Sequence, residues 1–123
     1  MEKEARINSL FGDTARVPYG IKSKNLVLQY SIQITNFLIK KNAKLIIIAC
    51  NTATAMALSE LKKKFINIPI IGVIEPGVKK AISITKNNNI GVIGTIATIN
   101  SKAYFESIKR LNNNMNIYSK ACP

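Results

Sequence analysis

The sequence predicts an α/β fold, a parallel sheet flanked by helices, and three observations predict it. Aliphatic runs such as Leu45-Ile46-Ile47-Ile48 are continuous rather than alternating, the pattern of strands covered on both faces. Between them lie stretches whose apolar residues recur at three- and four-residue steps, the spacing of one buried helical face. Polar turns punctuate every change of pattern, and the resulting strand-helix alternation specifies parallel strands joined by right-handed crossovers.

Taken in order, residues 7–11 form a short apolar run that ends in Gly12-Asp13-Thr14, a strand passing into a loop. Residues 23–40 predict a helix whose buried face carries Leu26, Val27, Tyr30, Ile34, Phe37 and Leu38, with Ser23 as its cap and Asn42 as its end. Residues 44–49 predict a buried strand, followed by the polar turn Cys50-Asn51-Thr52. A second helix is expected over residues 53–65, where Ala, Met and Leu favour helix and Lys62, Lys63 and Lys64 complement its dipole. After Pro69 in the connecting loop, residues 68–74 read as a strand stopped by Glu75-Pro76-Gly77, and residues 78–84 as a short helix. Asn87-Asn88-Asn89 is a polar connector, residues 90–93 a strand, Gly94-Thr95 a turn, residues 98–111 one helix, and Ile117-Tyr118 the start of another strand.

Open sheets of this kind bind ligands beyond the carboxyl ends of their strands. The turns at residues 13–20, 50–52 and 75–77, together with Thr95, fall there and are expected to share one cleft. Among them Cys50 ends an aliphatic strand and precedes a helix, so its sulfur lies near unpaired backbone N–H groups and the positive end of a dipole, which favours the thiolate. A buried structural cysteine is the ordinary alternative, and spacing alone does not decide between them.

Composition narrows the function classes. The 123 residues amount to about one ordinary domain, and no apolar stretch reaches the ~20 residues of a membrane span. The first residues mix both charge signs and lead into no apolar core of a signal peptide, so a cytoplasmic, membrane-free protein is expected. Two distant cysteines and no histidine support neither a disulfide scaffold nor a metal site. The formal net charge of +12 raises the question of a polyanion partner. The aromatic residues are scattered, without a stacking platform or recognition motif, and the lysines cluster as in Lys62-Lys63-Lys64, so the charge reads as a solvated surface and no nucleic-acid partner is expected.

Four strings carry a resemblance. Phe11-Gly12-Asp13-Thr14-Ala15-Arg16-Val17-Pro18-Tyr19-Gly20, Ala49-Cys50-Asn51-Thr52-Ala53-Thr54-Ala55, Gly72-Val73-Ile74-Glu75-Pro76-Gly77 and Gly91-Val92-Ile93-Gly94-Thr95-Ile96-Ala97-Thr98-Ile99 occur in that order. Together they closely resemble the bacterial glutamate racemases, and the second is more like these than like the related aspartate racemases. The resemblance implies two similar α/β lobes with the active site between them. It places residues 1–88 in the first lobe, lacking its first strand, and residues 89–123 at the beginning of the second. It also implies interconversion of L- and D-glutamate for peptidoglycan without cofactor or metal, by one thiolate that removes the α-proton and one thiol that protonates the opposite face. Cys50 matches the first of these thiols. Asn51, Thr52, Tyr19 and Gly20 match residues that hold the substrate's carboxylate and amino groups, and Pro18, Thr95 and Thr98 match further pocket residues. The ordinary alternatives are a helix cap at Thr52, a tight turn at Pro18-Tyr19-Gly20 and a helix start at Thr95.

The sequence also departs from the family pattern. It carries neither the Asp-Ser-Gly motif that follows the family's first strand nor the Gly-Cys-Thr-His string that holds the second thiol. Cys122, in Ala121-Cys122-Pro123, matches a different string and reads as a thiol at a strand end. The resulting expectation is a truncated, inactive racemase chain, with a homodimer left open; a catalytically dead scaffold or partner subunit is the alternative, and a polyanion-binding module a weaker one.

Overall fold

A computed structural model describes residues 10–122. The strand expected at residues 7–11 lies outside the described residues up to residue 9, and Leu10 and Phe11 are in no strand.

After a 3-10 turn at Tyr19–Ile21, helix α1 spans Lys24–Lys40. Ser23 caps it through a bond from the Leu26 N–H to its hydroxyl. Its end is as expected and has a clear cause. Asn42 adopts the left-handed conformation, φ 63°, and the N–H groups of Asn42 and Ala43 bond back to the carbonyls of Ile39 and Leu38, satisfying two otherwise orphaned acceptors.

Strand β1 (Ile46–Ile48) leads into helix α2 (Asn51–Lys64), which returns to strand β2 (Ile70–Gly72) parallel to β1, with Ile46 opposite Ile70. Helices α1 and α2 bury one face of this pair, where Ile46 and Ile70 meet Ala57 and Leu61. Glu75-Pro76-Gly77 is not the stop the sequence suggests. It forms the first turn of helix α3 (Ile74–Ile84), where proline is tolerated because the first helical N–H groups have no intrahelical partner.

Strand β3 (Asn89–Thr95) extends two residues beyond the expected Ile93 and pairs in parallel with β4 (Asn116–Cys122). The connection, expected as one helix, is two: α4 (Ile96–Asn100) and α5 (Ala103–Leu111). The break is at Lys102, left-handed with φ 58°, and Ser101 stabilises it by donating to the Thr98 carbonyl (2.6 Å) and accepting from the Ala103 N–H (3.2 Å). Local hydrogen bonding by serine thus outcompetes continuation of the helix.

The α/β class and the parallel strands flanked by helices are therefore present, with the strands in two two-stranded sheets rather than one. Their cores are separate. Helix α3 lends Ile74 and Val78 to the core beneath β3 and β4, with Ile90, Val92 and Ile108. Among the described residues the strands are covered on one face only, where the helices pack: Ile47 and Ile71 are 62% and 45% exposed, and Ile93 is 78% exposed.

Candidate active site

Cys50 is the N-cap of α2. The Thr54 N–H bonds to its carbonyl (2.9 Å), which begins the helix, and its sulfur accepts from the Ala53 N–H (3.5 Å). An extended strand feeding directly into a helix leaves the side chain at the rim, and Cys50 is exposed. The buried-cysteine alternative is thereby removed.

Thr52 does not cap the helix. It is 3% exposed, and its hydroxyl lies 2.9 Å from that of Thr95 and 3.2 Å from that of Thr98. Thr95 and Thr98 are 3.0 Å apart, which closes a triangle of three hydroxyls. Thr95 also begins a helix, as the ordinary alternative held, by accepting from the Thr98 N–H at 3.2 Å. One side chain performs both tasks. Because Thr52 belongs to α2 and the other two to the β3–α4 junction, the triangle fastens the two sheet units together beside Cys50.

Gly20 completes this junction from a third direction. It is buried, and a Cβ there would stand 2.6 Å from Thr95 Cβ, so only glycine allows this approach. Tyr19, beside it, donates its hydroxyl proton to Asp13, which also accepts from Arg16 Nε at 2.8 Å. Burial, and then the bond to Asp13, push the Tyr19 phenol well above its ordinary range, with smaller contributions from the charges of Asp13 and Cys50. Arg16 is held in turn by Gln33 (2.6 Å) and lies over the Tyr30 ring at 4.2 Å. Pro18 precedes the turn at an exposed position.

The structure thus brings Tyr19, Gly20, Asn51, Thr52, Thr95 and Thr98 around the turn that carries Cys50. The turn at residues 75–77 does not join them. Glu75 pairs with Lys79 (2.8 Å) and approaches Arg110 (3.9 Å) on the exposed side of α3. Cys122 sits at the end of β4, opposite Thr95 in the ladder, and is exposed. Sequence reasoning missed three participants. Asp13 and Arg16 anchor Tyr19, and the opposite charges three residues apart were the available signal. Tyr104 donates to Asn51 Oδ1 at 2.6 Å across 53 positions of sequence, and no local pattern announces it.

A groove of about 550 Å³ borders the cluster through Gly20 and runs past Lys22, Met56 and Asn100; Cys50, Asn51 and Thr52 do not line it. Among the described residues no three His, Cys, Asp or Glu side chains converge, and no helix is long and apolar enough to cross a membrane.

Residues 4–122 match the family model for Asp/Glu/hydantoin racemases. The chain belongs to that family. A glutamate racemase of Aquifex aeolicus is 56% identical over 112 residues, 91% of this chain and 43% of that protein. Among solved racemases, a glutamate racemase isoform from Bacillus anthracis superposes with a TM-score of 0.87 at 41% identity, over 91% of this chain and 42% of that one. The glutamate racemase of Francisella tularensis, solved in complex with D-glutamate, gives 0.83 at 43% identity over 90% and 41%. The chain therefore spans somewhat over two fifths of the length of these relatives.

Proposed function

We propose that this chain supplies the Cys50 side of a glutamate racemase, which interconverts L- and D-glutamate in the cytoplasm without cofactor and provides D-glutamate for peptidoglycan. The observation that carries the reading is an exposed thiol on a helix N-terminus, bordered by hydroxyl and amide groups, in a chain of the racemase family whose relatives are named glutamate racemases.

In this reading residues 1–88 form most of one lobe and residues 89–123 begin another. The Cys50 thiolate removes the substrate's α-proton: the Cα–H bond breaks, an S–H bond forms, and the electron pair delocalises into the adjacent carboxylate. The Ala53 N–H donates to the Cys50 sulfur at the N-terminus of α2, which orients the side chain toward the substrate. Asn51, Thr52, Tyr19 and Gly20 bind the carboxylate and amino groups, with Pro18, Thr95 and Thr98 around them. Small hydroxyl and amide donors suit a zwitterion of this size.

Inversion needs a second acid on the opposite face, and the second thiol implied by the resemblance has no counterpart string in this chain. This chain alone therefore exchanges the α-proton with solvent at most, returning it to the face it left. The test is incubation of L-glutamate with the chain and with Cys50→Ala, followed by chiral analysis. No D-glutamate is expected from either. D-glutamate produced by the unaltered chain above the variant would show that another group delivers the second proton.

A further inference from the structure

The break between α4 and α5 places Tyr104 where an uninterrupted helix would not. Tyr104 is the second residue of α5, immediately after the left-handed Lys102 turn. Its ring packs against the β3–β4 core, and its hydroxyl reaches out of that core to Asn51, the first helical residue after Cys50. Burial raises its phenol pKa above the ordinary value, so it stays a proton donor well beyond neutral pH.

An asparagine amide has one acceptor oxygen and one nitrogen with two donors, and rotation by half a turn exchanges them. With Oδ1 occupied by the tyrosine O–H, Nδ2 is the free end, and none of the side-chain bonds found among the described residues uses its protons. We propose that Tyr104 is a positioning residue: its bond to Oδ1 locks the Asn51 amide in the orientation that offers Nδ2 donors, rather than an acceptor, to an anionic oxygen of the ligand. The proposal rests on the glutamate reading for the ligand's identity but not for the locking itself. It also gives the second sheet unit a direct part in shaping the Cys50 turn.

The test uses the full chain labelled with nitrogen-15, as the unaltered protein and as Tyr104→Phe, Asn51→Ala and the double variant. The Asn51 side-chain amide signals are assigned by their loss in Asn51→Ala, and each protein is titrated with L- and D-glutamate. Tyr104→Phe keeps the packing ring. It is expected to shift the Asn51 Nδ2 signals and to weaken glutamate binding about three- to tenfold, as for one hydrogen bond. In the Asn51→Ala background the same change is expected to have no further effect. Unmoved amide signals, or equal weakening with Asn51 absent, would overturn the proposal. If the unaltered chain binds neither enantiomer, the glutamate reading fails for it, and the amide signals alone decide the role of Tyr104.

Discussion

Gly20 and Thr95 approach so closely that a methyl group on Gly20 would overlap the threonine, at 2.6 Å from Cβ and 2.7 Å from Cγ2. Thr95 is held by the hydroxyl triangle and by its capping bond, so it cannot swing aside without breaking them. Gly20→Ala is therefore expected to destabilise the chain by about 1–3 kcal/mol, the usual cost of overpacking. Gly77 is the contrast: it lies within α3, and nothing stands within 4 Å of an added Cβ. Gly77→Ala should stabilise by about 0.5–1 kcal/mol through helix propensity. Thermal or urea unfolding of both variants checks the pair, and a neutral Gly20→Ala would contradict the packing described here.

The triangle itself is testable through Thr98, its most buried corner at 2% exposure. Thr98→Val preserves shape but removes two hydroxyl contacts, leaving Thr52 and Thr95 to each other. A loss of about 1–3 kcal/mol is expected, with Thr98→Ser retaining most of the hydrogen bonding at the cost of a methyl group. Equal stability of Thr98→Val and the unaltered chain in urea would show that the triangle contributes nothing.

Both thiols are exposed, so accessibility does not separate them, and only Cys50 receives an N–H bond at a helix N-terminus. Cys50 is expected to react faster with iodoacetamide near neutral pH than Cys122, as followed by peptide mass spectrometry. Equal or slower labelling of Cys50 in the folded chain would remove the support for its chemical role.

The loop that carries Tyr19 should respond to pH at both extremes. At Asp13 burial acts to raise the pKa, but the hydrogen bonds from Arg16 and Tyr19 and the charges of Arg16 and Lys22 more than offset it, leaving the carboxyl below its ordinary value of 3.8. A depressed carboxylate stabilises the fold above its unfolded pKa, and that stability is lost as pH falls from about 3.8 through the folded value. Tyr19 has the opposite shift, so its contribution is lost as pH rises above the ordinary phenol value of 10.0. Stability curves for Asp13→Asn should be flatter below pH 3.8 than those of the unaltered chain. Indistinguishable acid limbs would mean that the pairing has no thermodynamic weight.

What the sequence disclosed and what it hid divide along a physical line. Helix α1, its Ser23 cap and its Asn42 terminus were readable because each depends on residues within a turn of one another. The Cys50 turn was readable because a strand and a helix abut there. The Glu75-Pro76-Gly77 misreading arose because proline marks both turns and first helical turns, and the local sequence does not distinguish them. The α4–α5 break hinges on a serine and a left-handed lysine, residue types common in unbroken helices. Two-faced coverage of the strands was inferred from aliphatic runs, and among the described residues Ile47 and Ile71 are exposed, since hydrophobicity alone does not specify what lies opposite. The Thr52–Thr95–Thr98 triangle and the Tyr104–Asn51 bond join residues more than forty positions apart, beyond the reach of any local pattern.

The central claim is that Cys50 moves the α-proton of glutamate on one face only. Its most direct measurement is α-hydrogen exchange in D₂O, followed by proton NMR with L-glutamate and D-glutamate in separate reactions, for the unaltered chain and for Cys50→Ala. The account predicts deuterium at the α-carbon of one enantiomer only, with retained configuration, and none with the variant. Exchange that persists in Cys50→Ala, or that proceeds equally from both enantiomers, would contradict it.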